Sequence, residues 1–342
     1  MIYKSEKMEI NSLEVSIMPK TFRPILFQGN TEKKVYFEGW YYKQVTKDET
    51  ELISFIPGIS LNETDKHCFV QYISVTKDHN HLPVIKTDYF PYPIDQFITR
   101  DEPFQVQIGP NVFSEKKVAI HLTKEGTKIK GSFSLHNLHP IQKTWLNPTI
   151  MGPLSYIPNM ECNHGVISMN HSINGYVKIN NRVIDFTGGK GYFEKDWGTS
   201  FPKEYMWIQS NNFKDPTTSL FFSVANVPLM KLNLEGFICN LVMQGKEYRF
   251  ATYNRSKMTI QRLSSTEIKI ILENKNARLT IVARPDKFGE LTAPQNGVMG
   301  KKVKEGFSDH LHITLENFQA PFVYKDDGKM AGIEVVGYQM TD

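Results

Sequence analysis

The sequence predicts an all-β protein built from antiparallel barrels or sandwiches, and three observations carry that prediction. Apolar residues alternate with polar or small ones at a period of two over short runs. Asn, Gly and Ser turns separate these runs at regular spacing. No segment sustains a helical apolar stripe beyond a few turns.

The elements read as follows, from the N-terminus onward. Residues 1–21 read as an extension. His79-Asn80-His81 marks a solvated turn, and a short helix is expected around Asp95–Thr99. Val118, Ile120 and Leu122 alternate with polar or small residues, Lys124-Glu125-Gly126-Thr127 supplies a turn, and Ile129, Gly131, Phe133 and Leu135 resume the alternation. Pro140, Pro148, Pro153 and Pro158 forbid a central strand over residues 140–165, which reads as a long loop or lid. Tyr176–Ile179, the turn Asn180-Asn181 and Val183–Phe186 form a second hairpin. A third spans Gly236–Phe250 with its turn at Gln244-Gly245. Met258–Leu263, Glu267–Leu272 and Arg278–Ala283 complete a meander. The strands fall into two blocks, with the break expected between residues 195 and 196.

Composition narrows the function classes. With 342 residues the chain holds two domains or one large one. Lys+Arg 40 against Asp+Glu 36 leaves a net charge of only +4, too little for a nucleic-acid-binding surface. Aromatic residues make up 12%, enough to fill a large core and to line an apolar cavity. No stretch approaches the roughly 20 apolar residues of a membrane span. The first 20 residues carry Lys4, Glu6, Lys7, Glu9 and Glu14 where a secretory signal needs an apolar centre. Cys68, Cys162 and Cys239 are widely spaced, unlike a disulfide framework or a zinc knuckle. A cytoplasmic protein is the expectation, with peripheral membrane contact if its ligand is a lipid. No obligate protein partner is predicted.

Nucleophile-elbow, P-loop and dinucleotide fingerprints are absent. His310-Leu311-His312 offers two imidazoles but no placed third ligand, so a wet strand face explains it better than a metal. Asp326-Asp327 before Gly328 reads as a turn. The expected chemistry uses neither metal nor cofactor.

Three aromatic and acidic clusters remain. In Tyr36–Lys43, strand alternation puts Glu38, Trp40 and Tyr42 on one face and Phe37, Tyr41 and Lys43 on the other. A carboxylate facing an aromatic interior would be desolvated, with its pKa pushed up; the alternative is a structural plug at a barrel end. In the run Gly191–Pro202, Glu194 and Asp196 flank Lys195 beside Trp197, and the acids could instead pair with lysines at a surface turn. Trp207, Gln209 and Asn211 share a strand face, suited either to a polar head group or to a network joining two domains. In Gly152–Ser172, His164 follows a Pro-rich loop and opens a strand, as an acid or base at a cavity mouth or as a histidine bonded to loop backbone.

At these clusters the sequence resembles the tocopherol cyclase family. Phe-Glu-Gly-Trp-Tyr-x-Lys is met by Phe37–Lys43, and Gly-Pro-x-Ser-x-x-Pro-x-Met-Glu-Cys-x-His-Gly by Gly152–Gly165. Glu-Lys-(Asn/Asp)-Trp-Gly-x-x-Phe-Pro is met by Glu194–Pro202, and Trp-x-Gln-x-Asn by Trp207–Asn211. The resemblance implies two lipocalin-like barrels in tandem, over residues 22–195 and 196–342. It also implies cofactor-free cyclisation of a prenylated hydroquinone to a chromanol. Such a reaction protonates an alkene and captures the tertiary cation with a phenol oxygen. It needs a carboxylic acid held neutral in a dry aromatic pocket. Glu38, Glu194 and Asp196 are the candidate acids, and His164 is the candidate acceptor of the phenol proton. Trp40, Tyr42, Trp197 and Trp207 would line the site, while Gln209 and Asn211 would orient ring oxygens. A non-catalytic carrier of a prenyl lipid or quinone, and a hydratase of an isoprenoid alkene, are the alternatives.

Overall fold

In the computed structural model of the chain, residues 19–77, 83–229 and 232–338 are described. Most of the expected extension, and the turn at His79-Asn80-His81, lie outside them. The architecture is all-β, with only short 3-10 turns besides strands. Among the described residues no helix is long and apolar enough to cross a membrane.

The first half forms one antiparallel sheet of twelve strands. They begin with β1 (Tyr36–Val45), β2 (Glu51–Leu61), β3 (Lys66–Lys77), β4 (Pro83–Pro93), β5 (Phe97–Asp101) and β6 (Phe104–Ile108). They continue with β7 (Asn111–Ser114), β8 (Lys117–Lys124), β9 (Thr127–His136), β10 (Cys162–Ile179), β11 (Arg182–Asp185) and β12 (Gly189–Gly198). Pairing runs β4-β3-β2-β1-β12-β10-β9-β8-β7-β6-β5, with β11 beside β10.

The second half opens with β13 (Tyr205–Ser210), β14 (Asn212–Phe213), β15 (Ser219–Leu229), β16 (Leu232–Met243) and β17 (Lys246–Ala251). A meander of β18 (Lys257–Arg262), β19 (Ile268–Glu273) and β20 (Ala277–Ala283) follows. Then come β21 (Lys287–Gln295), β22 (Val298–Ser308), β23 (Leu311–Asn317), β24 (Phe322–Lys329) and β25 (Ala331–Val336). One sheet is ordered β17-β16-β15-β13-β25-β22-β21 and the other β14-β24-β23-β20-β19-β18. Single residues, Asn211 and Met330, carry the chain from one sheet to the other. Among the described residues neither half closes its hydrogen bonding into a ring.

The hairpins sit where turn chemistry places them. Lys124 pairs with Thr127, Ile179 with Arg182 and Met243 with Lys246. Asn180, Gln244 and Gly245 occupy the left-handed region that such tight turns require. Three expectations shift. The helix near Asp95–Thr99 is one 3-10 turn, Ile94–Gln96, before β5 takes over. The break expected after residue 195 falls inside β12, which lies between β1 and β10. Asp326-Asp327-Gly328 is part of β24, because Asp326 accepts the backbone N–H groups of Lys214 and Asp215 while Asp327 pairs with Lys214 and His312.

Each half has its own apolar core. In the first, Trp40, Tyr42, Phe55, Phe133 and Phe193 are fully buried. In the second, Ile208, Phe222, Leu241, Leu279 and Ile313 do the same. Smaller clusters, around Tyr41, Trp207 and Phe221 and around Val303 and Phe307, seal the two halves against each other.

Candidate active site

A cavity of about 360 Å³ lies between the halves. Strand alternation decides what faces it. On β1, Phe37, Gly39 and Tyr41 line the cavity, while Trp40 and Tyr42 point into the first core. On β12, Glu194 and Asp196 line it, while Phe193 and Lys195 point away. From the second half come Tyr205 and Trp207 of β13 and Glu334 of β25, Trp207 and Glu334 being cross-strand partners. The Pro-rich loop contributes Met151, Leu154 and Met160. The walls are mostly apolar and the charged groups are few, as a site for a hydrophobic ligand demands.

His164 is the centre of the first polar group. It opposes Asp196 across the β10–β12 ladder, with Nδ1 2.7 Å from Asp196 Oδ1. Nε2 lies 3.3 Å from Glu194 Oε2, close enough for ion pairing but poorly aligned for a hydrogen bond. The ring stacks on Phe221, centroids 4.8 Å apart. Burial alone would lower its pKa, but the charges of Asp196 and Glu194 and their hydrogen bonds outweigh burial and raise it to about 10. His164 is thus an imidazolium at neutral pH. Asp196→Asn removes the larger charge and is expected to bring the imidazole titration down by more than a unit, as read by histidine NMR.

Glu194 is an acceptor. Its Oε2 receives the Tyr192 hydroxyl at 2.6 Å and the Trp207 indole N–H at 3.2 Å. Glu334 is different. Burial, then the charge of its cross-strand partner Glu305, push its pKa up to about 8 against the hydrogen bond that Tyr205 donates at 2.5 Å. Burial likewise raises Glu305 to about 7, opposed by the Tyr41 hydroxyl, which donates at 2.7 Å, and by Lys43. Burial lowers Lys43 to about 7 in spite of Glu305 and Glu194. Its ammonium donates to Gln209 Oε1 and to the Met330 carbonyl, both at 2.7 Å. The cavity wall therefore carries an imidazolium and a carboxyl group whose pKa is pushed up above neutral. Among the described residues no three His, Cys, Asp or Glu side chains are grouped to hold a metal ion.

Of the residues singled out in the sequence, the structure brings His164, Glu194, Asp196 and Trp207 together on the cavity. Glu38, Trp40 and Tyr42 do share a face, but it is the packed interior. Glu38 is fully buried beside Lys195, Oε1 to Nζ 2.5 Å, and accepts the backbone N–H groups of Gln28 and Gly29 and the Tyr36 hydroxyl. With a cation and these donors it is a structural anchor, away from the cavity. Trp40 donates to the Ile25 carbonyl at 2.8 Å, and Tyr42 stacks on Phe193 at 3.9 Å. Trp197 turns to the far side of β12, where the Lys195 ammonium lies 4.9 Å from its ring. Gln209 and Asn211 join the network between halves: Asn211 donates to Asn170 Oδ1 at 3.0 Å and to the Gly191 carbonyl at 2.9 Å. Sequence reading missed Glu334, Glu305, Tyr205 and Phe221. The only signal for Glu334 was one acid set between Ile333 and Val335 in an apolar strand.

The sequence profile of the tocopherol cyclase-like family matches residues 115–337. No curated protein matches the sequence. Among solved structures, an AttH-type protein of Nitrosomonas europaea is similar at TM-score 0.50 and 12% identity, over 91% of this chain and 95% of that one. CghA is similar at TM-score 0.52 and 8% identity, over 90% of each chain. Kievitone hydratase of Nectria haematococca is similar at TM-score 0.51 and 10% identity, over 91% of each. Such low identities show a shared fold.

Proposed function

This chain belongs to the tocopherol cyclase-like family, and we propose that it is a cofactor-free acid catalyst that closes a ring on a prenylated phenol. The observation that carries the reading is a half-buried carboxyl group, Glu334, on the wall of an apolar cavity between its cross-strand partners Trp207 and Glu305, with its pKa pushed up by desolvation and by Glu305.

The chemistry balances without an outside reagent. The Glu334 O–H bond breaks as a C–H bond forms at the less substituted alkene carbon, leaving a tertiary cation. The faces of Trp207 and Tyr205 steady that cation by about 0.5–2 kcal/mol per contact. Glu194 and Asp196 set carboxyl oxygens on the same wall, where positive charge develops. The phenol oxygen attacks the cation, the C–O bond forms, and the phenolic proton restores the Glu334 carboxyl. His164, already protonated, does not serve as the base expected from sequence; its Nε2–H orients a substrate oxygen instead. We read each half as a lipocalin-like barrel, the first ending with β12 and the second starting at β13, because each has a separate core.

The test is incubation with a prenylated hydroquinone in deuterated, oxygen-labelled water. Ring closure gives a chromanol with one deuteron on carbon and no solvent oxygen. A second reading has the same acid and a water nucleophile; the fold shared with kievitone hydratase favours it, and labelled oxygen in the product would establish it. No product beside tight binding would leave a carrier, and a product with neither label would overturn acid catalysis.

A further inference from the structure

The cavity wall in the second half follows the strand order of its sheet. Gly236 of β16, Ala225 of β15, Trp207 of β13, Glu334 of β25, Val303 of β22 and Leu291 of β21 line it in turn. The first half runs alongside: His164 of β10 stacks on Phe221 of β15, Glu194 of β12 meets Trp207, Tyr41 of β1 meets Glu305 of β22, and Gln71 of β3 meets Thr292 of β21. The cavity is therefore a trough across both sheets with Glu334 between two arms, and the arms differ. The β21 arm is walled mainly by buried apolar side chains, Phe69, Leu291, Ala293 and Val303. The β16 arm carries half-buried Ala225, Gly236 and Tyr253 and exposed Glu235. His164, whose Nε2 has no hydrogen-bond partner, stands at its inner end. Ala225 and Gly236 are cross-strand partners, so the wall of this arm is nearly bare. Glycine is imposed on a chain by a left-handed backbone or by a neighbour too close for a Cβ. Among the described glycines only Gly39, Gly236 and Gly300 have neither. Gly300 is exposed, whereas Gly39 and Gly236 line the cavity. At Gly236 a Cβ would meet nothing within 4 Å. Neither backbone nor packing requires that glycine, and what it leaves is open space in the cavity.

We propose that Ala225 and Gly236 form a bay for the phenol ring and its substituents, with the ring oxygen at His164 Nε2, while the isoprenoid tail runs past Glu334 into the β21 arm. The tail has no polar atom and gains most from the buried apolar arm; the ring carries a hydroxyl that needs a partner. This order places the alkene nearest the ring at the acid. The bay then sets which ring substituents are accepted and the arm sets tail length. The proposal rests on the cavity being where a prenylated phenol binds, as argued above.

Phenols with saturated tails bind without reacting, so calorimetry can follow them. The probes are ortho-isopentylphenol, ortho-(hexahydrofarnesyl)phenol and the ring-trimethylated form of the latter. Native protein is expected to bind the long tail at least about tenfold more tightly than the short one, and the trimethylated ring no less tightly than the bare one. Gly236→Val, a β-branched residue placed in a strand, should fold. It should weaken the trimethylated probe about tenfold against the bare ring and keep the tail preference. Ala293→Leu should erase the tail preference and keep the ring preference. Val303→Ala opens the same arm without crowding it, and should shift preference from the hexahydrofarnesyl tail toward a phytanyl tail; it decides the matter if Ala293→Leu does not fold. The reverse pattern, or variants that alter neither preference, would overturn the placement of ring and tail and leave the cavity reading intact. No binding of any probe to the native protein would overturn the cavity reading as well.

Discussion

Glu334→Gln is expected to lower kcat for ring closure by a factor of roughly a hundred to ten thousand, the usual worth of a placed general acid. Substrate affinity should change by less than about threefold, because glutamine keeps the shape and its carbonyl oxygen still accepts the Tyr205 hydroxyl. What it lacks is a transferable proton. Native activity should be constant below the Glu334 pKa and fall as pH rises through about 8, where the acid loses its proton. Glu305→Gln removes the neighbouring charge that helps hold the proton on Glu334. Its falling limb should therefore move to lower pH while the maximal rate is largely kept. A Glu334→Gln enzyme with more than about a tenth of native kcat, or a pH profile indifferent to Glu305, would remove Glu334 from the acid's role.

The second large effect is on stability. Lys195→Met is expected to cost about 3–5 kcal/mol, since it strands the fully buried Glu38 carboxylate without its cation. Glu38→Gln should cost a similar amount: it leaves the Lys195 ammonium with only the Pro24 and Leu26 carbonyls and weakens the acceptor for Gln28 and Gly29. Both losses appear as lower denaturant midpoints with an unchanged slope. The folded Glu38→Gln fraction should keep native kcat, because Glu38 lies in the interior of the first half and not on the cavity. A stable Glu38→Gln protein without activity would reverse the assignment.

Much of the fold was legible in the sequence because turn chemistry and alternation are local. Asn180-Asn181 and Gln244-Gly245 locate their hairpins to the residue, and parity correctly separates Glu38, Trp40 and Tyr42 from Phe37, Tyr41 and Lys43. Parity does not say which face carries function. Aromatic richness suggested a hollow interior, whereas Trp40, Tyr42 and Phe193 fill that space and the cavity forms only where two outer faces meet. The pairing of Glu38 with Lys195 was equally hidden: the two residues sit on adjacent strands far apart in the chain, and charge alternation in Glu194-Lys195-Asp196 suggested a surface turn instead. His164, Glu194 and Asp196 drew attention because they stand in dense motifs. Glu305 and Glu334 did not, because their raised pKa values arise from desolvation and from facing each other across the β22–β25 ladder.

The central claim is that a carboxyl group in the cavity between the halves stays protonated at neutral pH. Infrared difference spectroscopy of native protein against Glu334→Gln at pH 7 tests it directly. The account predicts a protonated-carboxyl carbonyl stretch in the native protein that disappears in the variant and titrates away as pH rises through about 8. A native spectrum in which Glu334 shows only carboxylate bands at pH 7 would contradict it.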